Sequence, residues 1–247
     1  MKAEVVLTVS ESKRLIAKGI AGLAYVQDKL QEGIIVITSG GTNAYVYEEL
    51  TGHTIDKRAY VTGRTTPAKA TPKWQVDRMK PVVLVNGEPS PDLDQFSVLA
   101  KMKQGDIYIK GANALNYGAN LAGISIGHST GGTIGGALGS IIAKKLRLLI
   151  PIGLEKEVPF DIQNASELLA EPDDNLGAVH ALWPVSGMIF TELEALLVLC
   201  GVAAYPIGAG GIAGAEGAIR LLLVGDDQQM TDAVSLVQSV QGEPPLG

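Results

Sequence analysis

The sequence predicts an α/β protein: an open, mostly parallel sheet with helices on both faces, followed by a small α+β unit. Three observations point there. Ile34–Ile37 is a β-branched run with no polar alternation, as expected of a strand covered on both faces. It leads directly into a glycine turn, Thr38-Ser39-Gly40-Gly41-Thr42-Asn43, and then a helical stretch. The same order of strand and polar glycine turn returns at residues 106–116, and strand and helix alternate through residue 152, as in parallel βαβ units.

Taken in order, residues 4–8 are apolar enough for a short strand, and Ser10 or Ser12 is placed to cap a helix beginning near Lys13. A second helical segment around Val26 and Leu30 stops at Gly33. After the central strand, Thr42 or Asn43 is placed to cap a helix that ends near Gly52. Residues 53–92 are irregular except for a strand, Val82–Val85, closed by the turn signal Asn86-Gly87. Residues 94–103 read as a helix with Phe96, Leu99, Ala100 and Met102 on one side, ended by Gly105. A strand at 106–110, a polar turn at 111–116, a glycine loop at 127–136, a helix at 136–145 and a strand at 146–152 follow.

From about residue 179 the pattern changes. Strands at 181–185, 202–207 and 218–224 alternate with helices at 191–199, capped by Thr191 with Glu194 three residues on, and at 228–240. Strand–helix–strand–strand–helix is the order of a ferredoxin-like α+β unit lacking its last strand. The reading is therefore two units, an α/β domain over 1–178 and a ferredoxin-like unit over 179–247.

Composition excludes several classes. The 247 residues are 46% hydrophobic and 19% charged, which is globular rather than disordered. A net charge of −6 without a basic run argues against nucleic acid as a partner. Cys200 is the only cysteine, so no disulfide framework is expected. His53, His128 and His180 have no metal-ligand spacing. No signal peptide is evident. The uncharged stretch 195–215 is broken by Pro206 and by Gly201, Gly208, Gly210, Gly211 and Gly214, so it reads as soluble structure and not as a membrane span. A cytoplasmic protein is expected, with no cofactor indicated and a homo-oligomer as one option. Gly208-Ala209-Gly210-Gly211-Ile212-Ala213 matches a dinucleotide fingerprint, yet no amphipathic helix follows it.

The chemistry is expected at three glycine corners: Thr38, Ser39, Gly40, Gly41, Thr42 and Asn43; Lys110, Gly111, Asn113 and Asn116; His128, Ser129, Thr130, Gly131, Gly132 and Thr133. Each offers backbone N–H groups and small polar side chains, which suit an anionic small molecule if the corners share one cleft. Asn113 and Asn116 can orient a carbonyl or hydroxyl but cannot act as acid or base. Lys110 and His128 are the catalytic candidates, with His128 the proton carrier. Two further residues stay open: Arg64 as an anion clamp or an exposed loop arginine, and Glu155 as a general base or part of a solvated turn.

These residues resemble the superfamily of ribose-5-phosphate isomerase A, glucosamine-6-phosphate deaminase and the CoA transferases. Residues 34–42 look like the isomerase's strand and phosphate loop, 106–116 are similar to its next strand and acidic turn, and 128–136 resemble its glycine loop. The resemblance implies a phosphate- or carboxylate-binding enzyme over roughly residues 10–155. The family's acidic pair is replaced here by Asn113 and Ala114, and Ser129 and Thr130 stand where its lysine precedes the glycine run. What carries over is ligand binding at the glycine loops, either in an enzyme or in a non-catalytic metabolite sensor. A third reading, mainly structural assembly, rests on the apolar C-terminal unit.

Overall fold

The computed structural model describes residues 1–69, 73–172, 176–177 and 179–246. It is an α/β fold centred on a six-stranded sheet. That sheet contains β2 (Ile34–Ile37), β3 (Val82–Val85), β4 (Glu88–Pro89), β5 (Ile107–Ile109), β8 (Arg147–Pro151) and β10 (Met188–Phe190). The spatial order is β10-β8-β5-β2-β3-β4. The first four are parallel, and β3 and β4 add an antiparallel hairpin at one edge. Ile35, Val36 and Ile37 are fully buried, as are Ile107, Tyr108 and Ile109 beside them. That is why β2 and β5 read as unbroken apolar runs: neither face meets water. The hairpin turns at Asn86 and Gly87, both at positive φ (50° and 84°), the left-handed pair that a tight hairpin demands.

Two three-stranded antiparallel sheets flank this one. In the first, β6 (Ala114–Asn116) and β9 (Ala181–Val185) sit on either side of β7 (Leu121–Ile126). In the second, β12 (Ile219–Val224) lies between β1 (Lys2–Leu7) and β11 (Ala203–Ala209). The strands after residue 179 are thus distributed over all three sheets: β9 joins β7, β10 extends the parallel sheet, and β11–β12 is completed by β1 from the chain's other end. Residue 178, at the expected boundary, lies outside the described residues. The dinucleotide-like glycine segment runs from β11 into the loop of the β11–β12 hairpin and starts no helix.

Of the helices, α1 (Val9–Ala21) is the most central: it packs on α3 (Gly41–Thr51), α6 (Glu192–Cys200) and α7 (Asp227–Val240). Its contact with α6 is close enough that a Cβ at Gly19 would fall 2.6 Å from that of Ala195. Thr8 caps α1, in a capping box with Glu11, in place of Ser10 or Ser12, both of which are buried. Thr191 and Glu194 form the expected capping box on α6. α2 (Ala24–Gln31) precedes β2 and packs against it, α4 (Gly132–Ala143) precedes β8, and α5 (Ile162–Ala170) packs on β9. The helix expected at 94–103 is only a 3-10 turn, Ser97–Ala100. The Asp94 carboxylate accepts the N–H groups of Phe96 and Ser97 at 2.8 and 3.2 Å, and this local turn takes the place of the first turn of an α-helix.

Arg14 ties α1 to α3 and to the chain after α7. Its guanidinium meets Glu48 at 2.6 Å, Glu49 at 2.9 Å and Glu243 at 2.8 Å, and Lys57 adds a contact to Glu48 at 3.1 Å. Burial pushes the Glu48 carboxyl up, but hydrogen bonds from the Ile55 N–H, Arg14 and Lys57 outweigh it and hold the group below its ordinary value. A carboxyl lowered in the folded state contributes stability that is present above its unfolded pKa and lost as pH falls through the folded one. Arg14→Met leaves three carboxylates crowded and half-buried, and it is expected to cost about 3 kcal/mol. Urea unfolding of the variant checks this, with the deficit shrinking as the carboxyls protonate in acid.

Candidate functional site

Because β10, β8, β5 and β2 are parallel, their carboxyl ends emerge at one edge, where ligands of open α/β sheets bind. The ladder continues past the strands: Thr38 N–H donates to Ile109 O (3.1 Å), Lys110 N–H to Leu149 O (3.0 Å) and Ile152 N–H to Phe190 O (3.0 Å). Neighbouring strands lie about 4.8 Å apart. The edge therefore presents side by side the turn 38–43 after β2, Lys110 and Gly111 after β5, Glu155 and Lys156 after β8, and Glu192 after β10.

Between the first of these ends lies a niche of about 60 Å³ lined by Ser39, Gly40, Gly41, Thr42, Asn43, Thr62, Gly63, Lys110, Gly111, Ala112, Asn113 and Lys156. That is roughly the liquid volume of two waters, at about 30 Å³ each, and the scale of one carboxylate or phosphate group. It opens into a cavity of about 410 Å³ that adds Lys13, Arg64, Thr65, Thr66, Pro67, Trp74 and Leu246 to its walls. Two of the three expected corners thus meet. The loop 62–67 returns to the cleft, held by the Asn113 amide donating to Gly63 O at 3.2 Å. Arg64 lines the outer cavity with its guanidinium stacked 4.2 Å over the Trp74 ring.

The floor of the niche is the start of α3. Its N-cap is Gly40, which has no side chain to cap with, so neither Thr42 nor Asn43 takes that role. Asn43 is fully buried and its amide nitrogen faces Thr38 O at 2.8 Å, Thr38 Oγ1 at 3.3 Å and Ile109 O at 3.5 Å. Three acceptors fix which end of the amide is nitrogen. The other end, Oδ1, is buried without a partner among the described residues and lies 3.9 Å from where a Cβ at Gly111 would stand. Thr38, itself buried, supports Asn43 from beneath. The first-turn N–H groups of α3 carry the positive end of the helix dipole.

Three lysines surround this floor, of which only Lys110 was evident from the sequence. The Lys110 ammonium donates to Gly111 O at 2.8 Å and that of Lys156 to Ala112 O at 2.9 Å. Lys13 comes from α1, 28 residues before Gly41, and its Nζ would sit 3.8 Å from a Cβ at Gly41. Burial, and secondarily the charge of Lys156, pushes Lys110 down to about 8. Burial also lowers Lys13, with Glu155 opposing and Lys156 reinforcing the shift. Lys13 and Lys156 escaped the sequence reading because no motif marks them; the packing of α1 on α3 and the register of β8 bring them in.

The third corner lines a different cavity, of about 670 Å³, whose walls include His128, Ser129, Gly131, His180 and Trp183 and share no residue with the niche. His128, the expected proton carrier, is exposed and bonds within its own turn, its Nδ1 2.9 Å from Thr130 Oγ1. Gly131 and Gly132 take left-handed angles (80° and 58°) to start α4, which begins with Thr133 and its neighbours in the first turn. Asn116 also lies outside the cleft: it is in β6, and its side chain accepts the Ala119 N–H at 3.1 Å to form the β6–β7 turn. The polar turn expected at 111–116 is thus partly strand. The reason is shared: β7, unrecognised in sequence, pairs with β6 and carries residues 127–133 beyond the niche.

Glu155 lies in the 3-10 turn Leu154–Lys156 and is only partly exposed. Its Oε2 is buried, unpartnered among the described residues and packed on Gly153, where a Cβ would stand 1.8 Å away. Glu192 is fully buried and accepts the Leu154 N–H at 3.0 Å. Burial, then repulsion from Glu155, raises Glu192 from 4.5 to about 7. Among the described residues no group of three or more His, Cys, Asp or Glu side chains could hold a metal ion. No helix among them is long and apolar enough to cross a membrane.

A carboxyl raised in the folded state binds more protons folded than unfolded, so stability falls as pH rises between the two pKa values. For Glu192 the window runs from 4.5 to about 7. Glu192→Gln is expected to flatten the stability–pH profile across that window, as read by denaturant midpoints at each pH. Comparison of the chain with protein-family models, with curated proteins and with solved structures finds no significant match to any of them.

Proposed function

We propose that this protein is a small-molecule enzyme of the sugar-phosphate isomerase/CoA transferase-like fold that binds a phosphorylated or carboxylated metabolite at the carboxyl edge of its parallel sheet. The observation that carries the reading is a first helical turn without a side-chain cap, facing a niche walled by Lys110 and Lys156, with Lys13 on the wall of the larger cavity beside it. Bare amides and converging ammonium groups in a partly dry cleft stabilise a negative guest by direct hydrogen bonds and by charge. The ligand's anionic group would sit on Gly41, Thr42 and Asn43, and the rest of it would extend past Asn113 into the larger cavity beside Trp74. In this reading Lys110 is the catalytic candidate, and the β11–β12 sheet with α6 and α7 is a ferredoxin-like unit that covers a neighbouring subunit in a cytoplasmic homo-oligomer.

A second reading, a non-catalytic sensor on the same scaffold, is favoured by two observations: His128 does not line the cleft, and Asn113 and Ala114 stand where the resembled isomerase has its acids. Turnover of any bound ligand separates the two.

Thermal-shift screening against sugar phosphates, acyl-CoAs and carboxylates tests binding. A specific ligand at 100 times its Kd adds about 2.7 kcal/mol of stability. The expected result is a rise in Tm with a phosphorylated or carboxylated compound, none with its neutral analogue, and a smaller rise in Lys13→Ala and Lys156→Ala. Equal shifts in wild type and both variants would place the ligand elsewhere.

A further inference from the structure

Lys110 is more than an electrostatic wall. We infer that its side-chain amine is a nucleophile that forms an imine with a carbonyl compound carrying a carboxylate or phosphate, held so that its carbonyl carbon lies over Nζ. This rests on the anion seat proposed above and adds the chemistry of the group next to the anion.

Four features of the cleft lead there. Lys110 closes β5 at the niche, on the strand beside the α3 start, so a ligand anchored by Gly41 and Thr42 brings its next carbons to the amine. The ammonium is held by one neutral acceptor, Gly111 O at 2.8 Å, and no carboxylate pairs with it among the described residues. A lysine meant only to hold a structural charge is usually matched by an acid when it is buried. Two further lysines, Lys13 and Lys156, share the cleft. Desolvation and a neighbouring cation are the two circumstances that free a lysine amine near neutral pH, and here both bear on the same nitrogen. Lastly, Lys13 and Lys156 still line the cleft around the anion once Lys110 has given up its proton.

The step balances without any redox partner. The neutral amine adds to the carbonyl carbon and a proton passes from nitrogen to oxygen, giving a carbinolamine. That hydroxyl leaves as water with one proton taken from solvent, and the nitrogen–carbon double bond that remains carries the positive charge. Bound this way, the substrate's adjacent carbon–hydrogen or carbon–carbon bond is weakened, because electrons released from it flow toward the iminium nitrogen.

The test uses the full chain with pyruvate and dihydroxyacetone phosphate as carbonyl probes, and lactate and glycerol 3-phosphate as their reduced counterparts. Each is incubated with borohydride, and the protein is mapped by mass spectrometry. The expected result is a mass gain equal to one carbonyl probe less one oxygen atom, on Lys110 alone, with none from the reduced counterparts. The adduct should be lost in Lys110→Arg and diminished in Lys156→Met. Stabilisation by the probes in a thermal shift with no adduct on Lys110 would overturn the imine and leave the anion seat standing. Adducts of equal yield on surface lysines, or persisting in Lys110→Arg, would overturn it too. No stabilisation and no adduct with any of the four would remove the anion seat and the imine together.

Discussion

A hydrogen-bond ladder that outlasts its strands holds the site together. Thr38 donates to Ile109, Lys110 to Leu149 and Ile152 to Phe190, each just beyond the last regular pair. In a parallel sheet these bonds set where one carboxyl end stands relative to the next. A one-residue slip of β5 against β2 would turn Lys110 to the other face and open Asn43 to water. The fully buried faces of β2 and β5 make such a slip costly, because every core side chain on the strand would move with it. The precision of the cleft therefore derives from the core, and the glycine turns inherit it.

The price of this arrangement is visible in buried polar atoms. Asn43 spends its nitrogen on three acceptors that fasten the turn to the ladder, and its oxygen is left facing Gly111. Glu155 is packed on Gly153 with an unpartnered oxygen, and Glu192 lies fully buried behind it. A buried polar group without a partner costs about 1–3 kcal/mol. Such groups are uncommon in folded proteins, and two of the five among the described residues, Asn43 Oδ1 and Glu155 Oε2, lie along this sheet edge.

The sequence made much of this legible, and the exceptions have physical causes. The run Ile34–Ile37 and the turn after it announced the central strand, since burial on both faces leaves a short, unbroken β-branched run. Asn86-Gly87 announced the hairpin through its backbone angles, and Thr191 with Glu194 announced the start of α6. The 38–43 and 110–113 turns, which the parallel pairing of β2 with β5 brings together, were legible through their shared composition. Lys13 and Lys156 were not, because their place depends on how α1 packs across α3 and how β8 follows its neighbours, and neither leaves a local mark. His128 misled for a related reason. Its glycine loop has the same composition as the others, but it follows β7, whose Leu-Ala-Gly-Ile-Ser-Ile pattern is too weak to read as a strand. The strand β10, only three residues long, was missed because a Met-Ile-Phe run is too short to show any period.

If the uncapped amides of the α3 start receive an anion, their amide nitrogen chemical shifts report it directly. Titration of isotope-labelled protein with inorganic phosphate should move the Gly41, Thr42 and Asn43 resonances along one saturating curve, with Gly111 following and Gly131, Gly132 and Thr133 at the start of α4 unmoved. Saturating shifts at the α4 loop with the α3 amides unchanged would rule out an anion at the start of α3.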